Sequence, residues 1–109
     1  MPKATIKADS YRESLLESLK NPENAAHYLD ACLEDKDTRV FLLALRDVAD
    51  ACGGITTLSR NAHLNRESLY RMLSKSGNPS FESLAAVLSA CGLRLAIQSS
   101  GPPKKRRIA

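Results

Sequence analysis

The 109-residue sequence contains no tryptophan and only five aromatic residues, Tyr11, Tyr28, Phe41, Tyr70 and Phe81. That scarcity argues against a platform for single-stranded nucleic acid, on which successive bases stack on aromatic rings. The three cysteines, Cys32, Cys52 and Cys91, are widely spaced and form no CxxC pair. Neither a zinc site nor a disulfide framework is expected from that spacing. Each thiol sits in an apolar stretch, so all three are expected to be reduced and to pack as small hydrophobes. No apolar run approaches the roughly 18 residues needed to cross a membrane. The opening residues, MPKATIKADS, lack the hydrophobic segment of a secretory signal. A cytoplasmic protein without a membrane partner is the expectation. Gly-rich phosphate loops, HExxH and GxSxG are also missing, and His27 and His63 each stand without a motif. The sequence therefore offers no catalytic residue, metal ligand or cofactor, and a binding protein is expected rather than an enzyme.

What the chain does have is charge, unevenly placed. Lys and Arg number 16 and Asp and Glu 12, for a net of +4. Lys104, Lys105, Arg106 and Arg107 account for that excess, leaving residues 1–103 neutral. Residues 1–52 hold 7 basic and 10 acidic side chains, whereas 53–109 hold 9 basic and 2 acidic. Such a division suggests that the two halves face different partners.

The apolar periodicity is helical almost throughout. Residues 1–9 read as an arm. Ser10 and Glu13 have capping-box spacing ahead of a short helix over 11–20. Asn21-Pro22 ends it and opens a second helix, since Pro suits the first turn. Asp37 is the expected cap of a third, dense in Val40, Phe41, Leu42, Leu43, Leu45 and Val48, which Gly53-Gly54 terminates. Two short helices follow, 55–62 and 66–75, broken at His63-Leu64-Asn65 with Asn65 as cap. Ser80 caps a last helix over 81–91, with Phe81, Leu84, Ala85, Val87, Leu88 and Cys91 expected inward, and Gly92 ends it. The alternation over 93–98 (LRLAIQ) predicts one β-strand, which needs a partner strand. Residues 99–109 carry little apolar matter and read as a disordered basic tail.

Two short helices about a tight turn form the pattern of a DNA-binding helix-turn-helix. Counting Ile55 as its first place, Leu58 is the apolar fourth and Ser59 the small fifth, where the helices must approach. Ala62 and Leu64 bracket the turn, and Leu69 and Met72 anchor the second helix. The ninth place, usually a left-handed Gly, is His63. Residues 37–97 thus resemble the lambda-repressor-like, Cro/XRE type of helix-turn-helix. More narrowly, 22–98 is similar to the HigA-type family of addiction-module antidote proteins. That likeness rests on YLDACLED, on VFLLALRDVADACGGITTLSR, and above all on NRESLYRMLSKSGNPSFESLAAVLSACGLRLAI.

The resemblance implies an antitoxin that neutralises a RelE/HigB-like ribonuclease toxin and represses its own operon. The expected fold is mainly α. It is a lambda-repressor-like bundle (37–98) with an N-terminal helical extension (1–36), one C-terminal strand and a tail (99–109). If the second short helix lies in the major groove, Asn65, Arg66, Glu67, Tyr70 and Arg71 meet base edges. Thr56, Thr57, Arg60 and Lys75 are then placed for phosphate. A homodimer on double-stranded operator DNA is expected, with Leu93, Leu95 and Ile97 as its candidate contacts. The acids Glu13, Glu17, Asp30 and Glu34 are candidates for covering a basic toxin surface. The competing readings are a phage-type repressor without a toxin and an inhibitor that has lost operator binding. An ordinary solvated helix face, with Glu67 and Arg71 paired, is the plainer account of the charges on the second short helix.

Overall fold

The structure is a computed structural model that describes residues 3–74 and 77–102, with side chains from residue 10 onward. Six helices follow one another: α1 (Lys3–Leu19), α2 (Pro22–Leu33), α3 (Thr38–Ala51), α4 (Gly54–Ala62), α5 (Arg66–Met72) and α6 (Phe81–Ala90).

Their boundaries follow local chemistry. The Asn21 side chain accepts from the Glu23 amide and Pro22 occupies the first turn of α2. Asp37 accepts from the Arg39 amide at the start of α3. Asn65 caps α5 through the amides of Glu67 and Ser68, and Ser80 caps α6 through that of Ser83. Each device satisfies donors that the first helical turn cannot bond internally. Between α3 and α4 the chain turns at Gly53, whose φ of 104° suits a residue without Cβ. A side chain there would also crowd Thr57, 3.2 Å from the position of a Cβ.

The core runs through all six helices. Leu19 of α1, Leu29 of α2 and Leu45 of α3 are buried together with Leu58, Leu69 and Val87. The broad inward face of α3, including Leu42, Ala44, Leu45, Val48 and Ala49, makes it the central element. Helices α1 and α2 pack on it from one side and α4 from another, while α4 also holds α5 and α6. Burial of polar groups is avoided: no polar or charged residue is fully buried among the described residues.

Three expectations are corrected. The strand over 93–98 is not present, and every regular element among the described residues is a helix. The Leu93 amide is committed to the Leu88 carbonyl, 2.7 Å away, where it closes the end of α6. Beyond it the alternation does not sort residues inward and outward, because Leu95 is 39% exposed and Ile97 fully so. With no neighbouring strand among the described residues, extended residues have no ladder to join. Secondly, α1 starts at Lys3, so Ser10 lies inside a helix and caps nothing. Thirdly, Phe81 occupies the first position of α6 and points outward, 75% exposed. The three thiols are free as expected: Cys91 lies in the core, and Cys32 and Cys52, partly exposed, pack against it. The basic run 104–107 lies outside the described residues.

Candidate nucleic-acid interface

Helices α4 and α5 join through His63, Leu64 and Asn65. His63 adopts φ 57° and ψ 41°, the left-handed conformation that the turn requires. It is the one described non-glycine residue at positive φ, and histidine tolerates that region better than most residues. The turn closes as helix ends commonly do: the Leu64 amide donates to the Ser59 carbonyl at 3.0 Å, and Leu64 folds back against the core. The half-buried Ser59 spends its hydroxyl on the Thr56 carbonyl. Ile55 and Leu58 from α4 and Leu69 and Met72 from α5 are buried, as the spacing predicted.

With those anchors turned inward, the opposite side of α5 faces solvent. Asn65, Arg66, Glu67 and Tyr70 line one shallow open depression. Arg71, also exposed, lines a neighbouring one between α5 and residues 77–83. Thr56 and Arg60 are exposed on α4 and Thr57 is half-buried. Lys75 lies outside the described residues. The geometry narrows what Asn65 can do. Its Oδ1 accepts from the Glu67 amide at 2.7 Å and the Ser68 amide at 3.2 Å. Only its NH2 group remains to donate outward, so the two-bond pairing of Asn with adenine requires the cap to open.

The charges of this face are unspent. All five ion pairs of the described residues lie within 1–52. Arg60, Arg66, Arg71 and Arg94 form none among the described residues, and Glu67 does not pair with Arg71.

Behind α5 lies a polar cluster that sequence reasoning missed. Arg12 of α1 reaches Asp47 at 3.0 Å and Asp50 at 2.8 Å, both on α3. Tyr28 of α2 donates its hydroxyl to the other oxygen of Asp47 at 2.8 Å. Burial, reinforced by that carboxylate, raises the Tyr28 phenol above its ordinary value. Arg46 places its guanidinium 5.5 Å from the centroid of the Tyr70 ring, within cation–π range. The one signal in the sequence was Arg46, a cation that follows the apolar run 40–45 inside α3.

The acids expected to meet a toxin are all exposed: Glu13 and Glu17 on α1, Asp30 on α2, and Glu34 at its C-cap. Glu17 pairs with Lys20 at 3.1 Å. Leu95 and Ile97 are exposed and Leu93 is half-buried. No group of three or more His, Cys, Asp or Glu suited to a metal occurs among the described residues. No helix there is long and apolar enough to cross a membrane.

Among the described residues every regular element is a helix, and α4 and α5 meet at a sharp turn beside exposed arginines. Residues 11–99 match the family described as "Probable addiction module antidote protein", and the chain belongs to that family. It is also 34% identical over 84 residues to an uncharacterised protein of Haemophilus influenzae strain Rd. That match covers 77% of this chain and 86% of the relative. No solved structure matches the chain significantly. Membership in an antidote family implies a toxin as partner.

Proposed function

We propose that the chain is the antitoxin of a type II toxin–antitoxin pair, neutralising a RelE/HigB-like ribonuclease and repressing its own operon as a homodimer. It acts by binding and not by catalysis. In this reading α4 and α5 are a HigA-type, Cro/XRE helix-turn-helix whose second helix enters the major groove. Arg66 and Arg71 read guanine edges, Arg60 and Thr56 hold phosphates, and Asn65 chiefly fixes the start of α5. The observation that carries this reading is the exposed, unpaired state of the arginines of α4 and α5, while every ion pair of the described residues lies in 1–52. Two exposed apolar residues near the C-terminus, Leu95 and Ile97, suit a contact with a second copy, which a palindromic operator calls for.

The test is a gel shift on the promoter segment directly upstream of the reading frame, across a range of salt. Affinity falls steeply as salt rises, because bound arginines release counterions from the phosphates. Replacing both Arg66 and Arg71 by alanine weakens binding by about 30-fold or more, at about 1–3 kcal/mol per base-reading arginine. Undiminished affinity in that variant would sink the assignment of α5.

For the toxin, the acidic surface of α1 and α2 is the proposed contact, through Glu13, Glu17, Asp30 and Glu34. Removing residues 1–20 is a poor test, since Leu19 is 2% exposed and belongs to the core. Reversal of Glu13 and Asp30 to lysine leaves the core intact. It is expected to lower affinity for the product of the adjacent gene, and unaltered binding would reject the contact.

A further inference from the structure

The polar cluster behind α5 links four helices through two carboxylates, Asp47 and Asp50, and through Arg46. Asp50 gives Oδ2 to Arg12 of α1 at 2.8 Å. Its Oδ1 faces Arg46 Nε at 3.7 Å, too far for a hydrogen bond. Arg46 Nε is buried and has no hydrogen-bond partner. The Arg46 guanidinium lies instead over the Tyr70 ring of α5. An unpaired buried N–H is costly, and a nearby carboxylate is its natural acceptor. Arg12 holds Asp50 through the other oxygen, Oδ2, and also holds Asp47, itself bonded to Tyr28 of α2.

Two arrangements of the same groups follow. In the one observed, Arg12 holds Asp50 and Arg46 stacks on Tyr70. In the other, Arg12 is drawn away, Asp50 closes the gap to Arg46 Nε, and the guanidinium leaves the ring. Arg12 is half-exposed on the arm, where a partner bound to α1 would compete for it. Tyr70 lines the depression with Asn65, Arg66 and Glu67. We propose that Asp50 switches between Arg12 and Arg46, with Arg46 as the positioning residue for Tyr70, so that occupation of α1 alters the face of α5. This deepens the reading of α5 as the DNA-contacting helix and rests on it. Because coupling between sites is reciprocal, DNA bound at α5 changes the affinity of α1 for its partner by the same factor.

Two measurements on the full chain test it. In NMR spectra, Arg12→Ala is expected to move the Arg46 Nε–Hε resonance as it gains a hydrogen bond, and to move the Tyr70 ring signals with it. The same substitution in an Asp50→Ala background moves neither, which separates switching from a general loosening of α1. Unmoved Arg46 and Tyr70 signals in Arg12→Ala overturn the proposal. In gel shifts on the upstream promoter duplex, Arg46→Met changes affinity by about two- to fivefold, the worth of an exposed cation–π contact. The effect of Arg12→Ala disappears in the Arg46→Met background, whereas simple additivity rejects the coupling. If the wild-type chain does not bind the duplex at all, the DNA reading of α5 falls, and the NMR result decides the coupling by itself.

Discussion

The two halves of the chain use the same kinds of charged residue in opposite ways. In residues 1–52 every described arginine has an acidic partner (Arg12 with Asp47 and Asp50, Arg39 with Asp37, Arg46 near Asp50) and Lys20 pairs with Glu17, while Glu13, Asp30 and Glu34 stay exposed. In the second half Arg60, Arg66, Arg71 and Arg94 are left without ionic partners among the described residues. A sum of formal charges makes the first half acidic by three and the second basic, yet it misses this difference. Paired surface charges stabilise a fold a little. Unpaired ones leave a field that reaches outward. The first half is thus the structural base to which α1 is tied, and the second presents the surface that can meet a polyanion.

The largest expected effect tests whether the halves share one core. Leu45 of α3 is fully buried and lies in the cluster that contains residues of every helix. Leu45→Ala is expected to cost about 2–5 kcal/mol, for the lost burial and the cavity left behind. Thermal unfolding followed by circular dichroism should show one transition at a lower temperature. Two separated transitions would break the comparison, since the halves would then be independent units.

A smaller effect separates paired from unpaired charges. Asp47→Ala removes a partner of Arg12 and strands the half-buried Tyr28 hydroxyl. The loss expected in urea unfolding is about 1–2 kcal/mol. Arg66→Ala, at an exposed position without an ionic partner, should stay within about 0.5 kcal/mol of wild type. Equal losses at the two positions would show that the arginines of α5 serve the fold.

Much of this arrangement was legible in the residues, for local reasons. Asn21-Pro22, Asp37, Asn65 and Ser80 mark helix starts because a side-chain oxygen close in sequence answers the first free amides. The spacing of Ile55, Leu58, Leu69 and Met72 revealed which side of α5 is turned inward, and so which residues line the candidate interface. The failures were of two physical kinds. One was context. A capping-box pattern at Ser10 signals a start only if the preceding residues leave the helix, and 3–9 contain nothing that breaks one. Alternation over 93–98 signals a strand only beside another strand. The other was distance in sequence. Arg46 lies 24 residues from Tyr70 and Arg12 lies 38 from Asp50, so those contacts become visible only when the helices are packed.

A finer difference lies in how individual helices are capped: Asn21 of the first half is neutral too, but Asp37 is charged. Asn65 and Ser80, which open α5 and α6, are neutral, whereas Asp37, which opens α3, carries a charge. The side chain of Arg39 donates to the Asp37 carboxylate, as does the Arg39 amide, and together they hold its pKa down to about 2 from an ordinary 3.8. A carboxylate depressed on folding stabilises the native state above its unfolded pKa, and that contribution is lost as the pH falls through the interval down to the folded value. Asp37→Asn keeps an oxygen to accept from the Arg39 amide but cannot titrate. The stability difference between wild type and this variant should therefore be constant near neutrality and shrink from about pH 4 towards about pH 2. The other carboxylates titrate in both proteins and cancel in the difference, which denaturation midpoints at stepped pH would measure. Asn65→Ser, a neutral cap exchanged for another, should give a difference that does not vary over the same interval. A Asp37→Asn difference as flat as that one would mean that the charge at Asp37 adds nothing to the cap, and the two halves would then be capped alike.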